Sequence, residues 1–176
     1  MNPVELRWLI QAMAMVGIAF VTTSSTIGAR PYLVWNATAS APIGFYHVAY
    51  HDDPHYRIGD LVLVRPEPAN AKLYASRGYL PLGVLLLKRI AATFGHHVCE
   101  RDRAVSIDGH AIAVALDRDS RGRSLLAWNG CRSLRQGEVF VLMVGVPDSL
   151  DGRYFGPTPV RSIIGQAFPL WTSGTH

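Results

Sequence analysis

The sequence predicts a mostly β domain behind one N-terminal transmembrane helix. Three observations lead there. Trp8 to Ala29 ("WLIQAMAMVGIAFVTTSSTIGA") runs 22 residues without a charge, bounded by Arg7 and Arg30. Short β-like runs, "LVLV", "GVLLLKRI", "AVSIDGHAIAV" with a hairpin turn at Asp108-Gly109, and "GEVFVLMVG", follow between turn residues. No long amphipathic helical pattern competes with them. With 176 residues, 49% of them hydrophobic, the chain is long enough to bury one core of ordinary size, while 17% charged residues is fewer than the usual quarter. The expected organisation is a cytoplasmic tip and transmembrane helix over 1–30 and a folded domain over 31–176, with no internal repeat and no low-complexity linker.

The apolar run comes first. As a helix it would extend about 33 Å, enough to cross a hydrocarbon core of about 30 Å. Its second half is weakened by Thr22, Thr23, Ser24, Ser25 and Thr26, and the strongly apolar part, Trp8 to Val21, also has the length of a cleavable leader's core. Ala39-Ser40-Ala41 resembles a leader cleavage site, but Pro42 would follow the cut bond and the site lies far beyond Val21. A retained span is therefore expected.

Next stands "TASAPIGFY", Thr38 to Tyr46. Pro42 fixes its own φ and pushes Ala41 into an extended conformation, while Gly44 permits a tight or strained turn. Such a turn can hold the Ser40 hydroxyl in the open as a nucleophile. The same nonapeptide fits an ordinary Ser-Ala-Pro turn, so partner residues have to separate the two readings.

Lys88 is the first such partner. Gly83 to Leu87 is a short apolar run of the kind that forms a buried strand, and Lys88 follows it directly. Burial disfavours an ammonium, so a lysine there can lose its proton near neutral pH and act as a base toward a serine; a strand-end lysine reaching water is the alternative. In "PDSLDGRYFGP", Ser149, Asp151 and Arg153 stand at alternate positions, which an extended segment would project to one side. "DSLDGR" also reads as a surface turn.

Together and in this order, "NATASAPIGFY", "YRIGDLVLV", "LLLKRIAATFG", "WNGCRSLRQGEVFVLM" and "DSLDGRYFGP" resemble the bacterial signal peptidases, most closely the TraF-type conjugative-transfer peptidases. The resemblance reaches from Asn36 to Pro157, and the tail "IIGQAFPLW" is similar too. It implies a signal peptidase-like β domain in which Ser40 is the nucleophile, Lys88 the general base and Asp151 a supporting acid near the lysine and Arg153. It further implies that Thr38 offers a hydroxyl to the oxyanion hole and that Ser149 orients the lysine. Two departures are Ala41, where such enzymes often carry methionine, and Gly95-His96 in place of glycine-aspartate; neither removes a group that does chemistry. The implied reaction is acyl transfer through an ester on Ser40, with no cofactor and no metal.

The remaining features concern location. Two cysteines, Cys99 and Cys131, are compatible with one disulfide or with two buried thiols, and the resemblance favours the bond. A disulfide calls for an oxidising compartment. Arg7 before the span, offset by Glu5, weakly favours a cytoplasmic N-terminus. The expected setting is the bacterial inner membrane, single pass, with the catalytic domain in the periplasm. "HDDPH" and "HHVCE" lack a metal-ligand spacing and read as solvated loops. A net charge of +4 with pI near 9.3 is spread along the chain, which does not indicate nucleic acid.

The expected function is that of a membrane-anchored serine endopeptidase acting on an exported precursor, a conjugative pilin foremost, with other proteins of a conjugation apparatus as further partners. Two alternatives stand beside it: a cyclase that joins the ends of the pilin on the same site, and a non-enzymatic envelope component.

Overall fold

A computed structural model describes residues 5–15, 30–52 and 55–173. The chain divides into two compact units, Met1–Pro31 and Tyr32–His176. In the first, residues 5–15 form an α-helix (α1) exposed along its length. Most of the run expected to span a membrane, residues 16–29, lies outside the described residues. Among the described residues no helix is long and apolar enough to cross a membrane.

The strands of the second unit follow the hydrophobic pattern closely. They are β1 (Leu33–Asn36), β2 (Ile43–Ala49), β3 (Leu61–Val64), β4 (Leu86–Ala92), β5 (His97–Arg101), β6 (Ala104–Ile107), β7 (His110–Val114), β8 (Cys131–Ser133), β9 (Glu138–Val141), β10 (Thr158–Pro159) and β11 (Ile163–Ser173). Among the described residues they make a seven-stranded sheet, β1-β2-β11-β3-β4-β9-β10, and a four-stranded sheet, β7-β6-β5-β8. Every strand pairing is antiparallel.

β2 shows the period of a half-buried strand: Gly44, Tyr46 and Val48 point inward while Phe45 and His47 stay exposed. "LVLV" in β3 has no polar alternation because both of its faces are covered. Leu61 and Leu63 pack with Tyr46, Val48 and Leu87, whereas Val62 and Val64 pack with Tyr74, Ile90 and Val141. A third cluster, Ala92, Val98, Val105, Leu134, Phe140 and Leu142, joins the two sheets. The β6–β7 hairpin turns at Asp108-Gly109, both with positive φ (50° and 80°), as a two-residue turn of primed type requires.

Three local expectations are corrected. Gly44 makes no turn beside Ser40. It lies inside β2, where a Cβ would run into the carbonyl oxygen of Trp171 on β11, so its role is close strand approach. The lysine strand begins at Leu86 rather than Gly83, since residues 83–85 belong to the loop before it. Between β3 and β4 stands an unanticipated helix, α2 (Pro68–Ser76), with proline in its first turn and Tyr74 as its buried side chain. With Leu73 exposed, it offers no apolar stripe for a periodicity argument to find.

Candidate active site

Ser40 sits in the connection between β1 and β2, and one side chain shapes that connection. The amide of Asn36, at the end of β1 and 7% exposed, donates from Nδ2 to the carbonyls of Thr38 (2.9 Å), Ala41 (3.0 Å) and Pro42 (3.1 Å). Its Oδ1 accepts from the Thr38 N–H (3.2 Å) and the Thr38 hydroxyl (3.0 Å). The Tyr46 hydroxyl donates to the Pro42 carbonyl at 2.6 Å. These contacts satisfy backbone groups that a turn of this length cannot pair internally. The Ser40 and Thr38 hydroxyls lie 3.1 Å apart.

Lys88 enters from β4, opposite Val62 of β3. It is 3% exposed, and Nζ donates to Ser149 Oγ at 2.8 Å. Burial disfavours its charge and brings its pKa down to about 8, an effect offset by the carboxylates of Asp151 and Asp148 and reinforced by Arg153. A lysine with this pKa is neutral in about one molecule in ten at pH 7. A neutral amine is the form that can take a hydroxyl proton.

Ser149, Asp151 and Arg153 are all buried, but not along one extended face. The Ser149 N–H closes a turn on the Val146 carbonyl, and Asp151 caps a short helix, α3 (Gly152–Phe155), by accepting from the Arg153 N–H. Gly152 is required there: a Cβ would meet the Phe140 ring and the Val141 carbonyl within 2.8 Å. The alternation therefore separates the roles. Ser149 faces Lys88. Asp151 instead forms a two-point pair with Arg153, whose Nε and Nη2 each lie 2.9 Å from a carboxylate oxygen.

That pair holds the segment carrying Ser149. Asp151 Oδ2 accepts from the Met143 N–H (3.0 Å), and Arg153 donates to the carbonyls of Met143 (3.0 Å), Val146 (2.8 Å) and Pro147 (3.3 Å). Toward Lys88, Asp151 acts as a nearby charge that favours the ammonium. The loop preceding β4 is tied down separately. The Asp119 carboxylate accepts from the Tyr79 hydroxyl and from Arg123 Nε, whose guanidinium lies over the Tyr79 ring and also donates to the Arg77 carbonyl (2.7 Å).

Ser40, Thr38, Lys88, Ser149 and Asp148 line one cleft of about 480 Å³, with Val34 and Leu80 among its apolar walls. The cleft thus brings together a hydroxyl, a depressed-pKa amine and a second hydroxyl bound to that amine. Cys99 and Cys131 lie elsewhere, disulfide-bonded as facing residues of β5 and β8. Of the histidines, His97 lies within β5 rather than on a loop, and His96 pairs with Asp108 at 2.6 Å. Among the described residues no group of His, Cys, Asp and Glu is arranged to hold a metal ion. Sequence reasoning did not assign a role to Asn36, although its place in "NATAS", four residues before Ser40, was a signal of the kind that asparagine gives in turns.

Comparison with known proteins gives the family. Residues 5–171 match the family described as "Signal peptidase, peptidase S26", and the chain belongs to that family. It is 33% identical over 174 residues to the "Probable conjugal transfer protein TraF" of Sinorhizobium fredii (strain NBRC 101917 / NGR234), covering 93% of this chain and 89% of that protein. It is 34% identical over 178 residues to the "Conjugal transfer protein TraF" of Agrobacterium fabrum (strain C58 / ATCC 33970), covering 94% and 97%. Among solved structures, a signal peptidase I from Enterococcus faecalis V583 is similar at 21% identity and TM-score 0.38, over 64% of this chain and 97% of that one. Family membership makes the chain a signal peptidase-type serine peptidase.

Proposed function

We propose that the chain is a membrane-anchored endopeptidase that cleaves an exported precursor, a conjugative pilin foremost, through an acyl-enzyme on Ser40 with Lys88 as the general base. The observation that carries this reading is the cleft shared by the Ser40 hydroxyl and a buried Lys88 whose pKa is near 8. The step is ordinary acyl transfer: neutral Lys88 takes the Ser40 proton as Oγ attacks the scissile carbonyl, the ammonium returns that proton to the leaving amine, and water then hydrolyses the ester. Ser149 holds the lysine head by its hydrogen bond, and the Asp151–Arg153 pair holds Ser149. The names of the two TraF relatives support a place in conjugal transfer. The apolar run from Trp8 supports attachment to the inner membrane, and the Cys99–Cys131 bond supports a periplasmic domain.

Purified full-length protein incubated with a pilin precursor of the same conjugative system tests the proposal. Mass spectrometry is expected to show one cut with the native chain and none with Ser40→Ala or Lys88→Ala, both remaining folded. Processing by Ser40→Ala at a substantial rate would overturn the serine mechanism. A product one water lighter than the linear fragment would identify cyclisation in place of hydrolysis.

A further inference from the structure

The hydrogen bonds around Asn36 determine which way two hydroxyl protons point. Its Nδ2 faces three carbonyl oxygens, so the amide orientation is fixed by its partners and Oδ1 must face Thr38. There Oδ1 takes the backbone N–H and the side-chain O–H of Thr38. A threonine hydroxyl has one proton. With that proton on Asn36, the 3.1 Å contact between Thr38 and Ser40 can be made only with Ser40 as the donor and Thr38 Oγ1 as the acceptor.

We infer that Asn36 is a positioning residue for the nucleophile: through Thr38 it selects one rotamer of Ser40 in the free enzyme, and through the three carbonyls it fixes the turn that carries Ser40. This rests on the reading of Ser40 as the nucleophile given above. In this arrangement Thr38 receives the Ser40 proton-bearing bond while the cleft is empty and keeps the lone pairs of Oγ turned away from itself. When substrate enters, the Ser40 O–H turns to Lys88, and the rest of the turn stays in place because Asn36 holds it and not Ser40. Thr38, exposed at the cleft, links a buried amide to the reacting oxygen, and in the free enzyme its proton is held by Asn36 rather than offered to an oxyanion as the resemblance implied. Geometry of this kind affects rate rather than affinity, since a misoriented nucleophile reduces the fraction of productive encounters.

The test uses detergent-solubilised full-length protein and a peptide p-nitrophenyl ester ending in alanine, whose burst of nitrophenol reports acylation of the serine. Asn36→Ala is expected to slow acylation about 100-fold and Thr38→Val about tenfold, with the half-saturating ester concentration within about twofold of the native value. Because Asn36 acts partly through Thr38, the double variant should be no slower than Asn36→Ala alone, and Thr38→Ser should recover most of the native rate. Circular dichroism and thermal unfolding identify a variant that has lost its fold. If Asn36→Ala is one, Asn36→Ser, which is uncharged and keeps one small polar group but not the amide's three carbonyl contacts, takes its place in the same cycle. Thr38→Val stands on its own at an exposed position. Acylation at the native rate in the Asn36 variant or in Thr38→Val, or effects that multiply in the double variant, would overturn the inference and leave the nucleophile assignment standing. A burst that persists in Ser40→Ala, or is missing from the native chain, removes the nucleophile assignment and the inference with it.

Discussion

Lys88 Nζ donates to Ser149 Oγ across 2.8 Å in a site where both side chains are almost fully buried, 3% and 2% exposed. An ammonium in that position has lost most of its hydration and keeps one hydroxyl partner and two nearby carboxylates in return. The consequence is a lysine balanced between charge states at ordinary pH, and a measurable pH dependence follows.

Activity is expected to rise with pH. The competent base is the neutral amine, whose population grows about tenfold per pH unit below the pKa and levels off above it. With the pKa near 8, kcat/KM should be half-maximal close to pH 8. A rate that is flat from pH 6 to 9, or that falls through 8, would rule out Lys88 as the base.

Stability should respond to the same group in the same direction, in a higher pH window. The Lys88 pKa is about 8 in the folded chain against 10.5 for an ordinary lysine, so between these values the unfolded chain binds more protons and stability rises with pH. Below pH 8 both states are protonated and the full penalty stands, roughly 3 kcal/mol. Lys88→Met is therefore expected to be inactive yet more stable at pH 7, by about 1 to 3 kcal/mol after the lost bond to Ser149 is counted. Urea unfolding at pH 7 and pH 10 checks this, because the gain should shrink at the higher pH.

The Asp151–Arg153 pair predicts the reverse sign. Arg153→Met leaves a carboxylate at 0% exposure without its cation and frees the carbonyls of Met143, Val146 and Pro147. A loss of about 3 to 5 kcal/mol is expected. Activity should fall further than stability alone explains, because the same turn carries Ser149 to Lys88. Denaturant titration, with turnover measured well below the unfolding transition, separates the two.

For the Cys99–Cys131 bond, whose partners lie 32 residues apart, the expected contribution is about 3 to 4 kcal/mol by loop entropy. Cys99→Ser should lose that much stability while leaving the cleft chemistry intact, since neither cysteine lines the cleft. Intact mass of the native protein before and after reduction should differ by two hydrogens.

What could be read in advance depended on whether a residue's role was local. Asp108-Gly109 specifies its own hairpin, and "LVLV" reads as a strand from its own four residues, although that both its faces are covered emerges only from the packing. Lys88 was legible because an apolar run delivers it into the interior. Gly44 was misread because its requirement comes from Trp171, distant in sequence, and α2 was missed because a helix burying little more than Tyr74 leaves no periodic trace. The alternation of Ser149, Asp151 and Arg153 suggested one face. The cap at Asp151 breaks that alternation, and three buried polar groups divide into one that meets the lysine and two that meet each other.

The strand order also bears on how such a protein comes into being. β11, the last strand in chain order, is inserted between β2 and β3, pairing Gln166 with both Ala49 and Val62. The turn with Ser40 and the strand with Lys88 therefore lie on opposite sides of a gap until residues beyond 160 arrive to fill it. Without β11, the strands β2 and β3 share no partner, and the pieces carrying Ser40 and Lys88 are not joined through one sheet. Long-range pairing of this kind makes assembly slow relative to local folding. The cleft that Ser40 and Lys88 line is therefore expected to close last, when the C-terminal strand seats between β2 and β3.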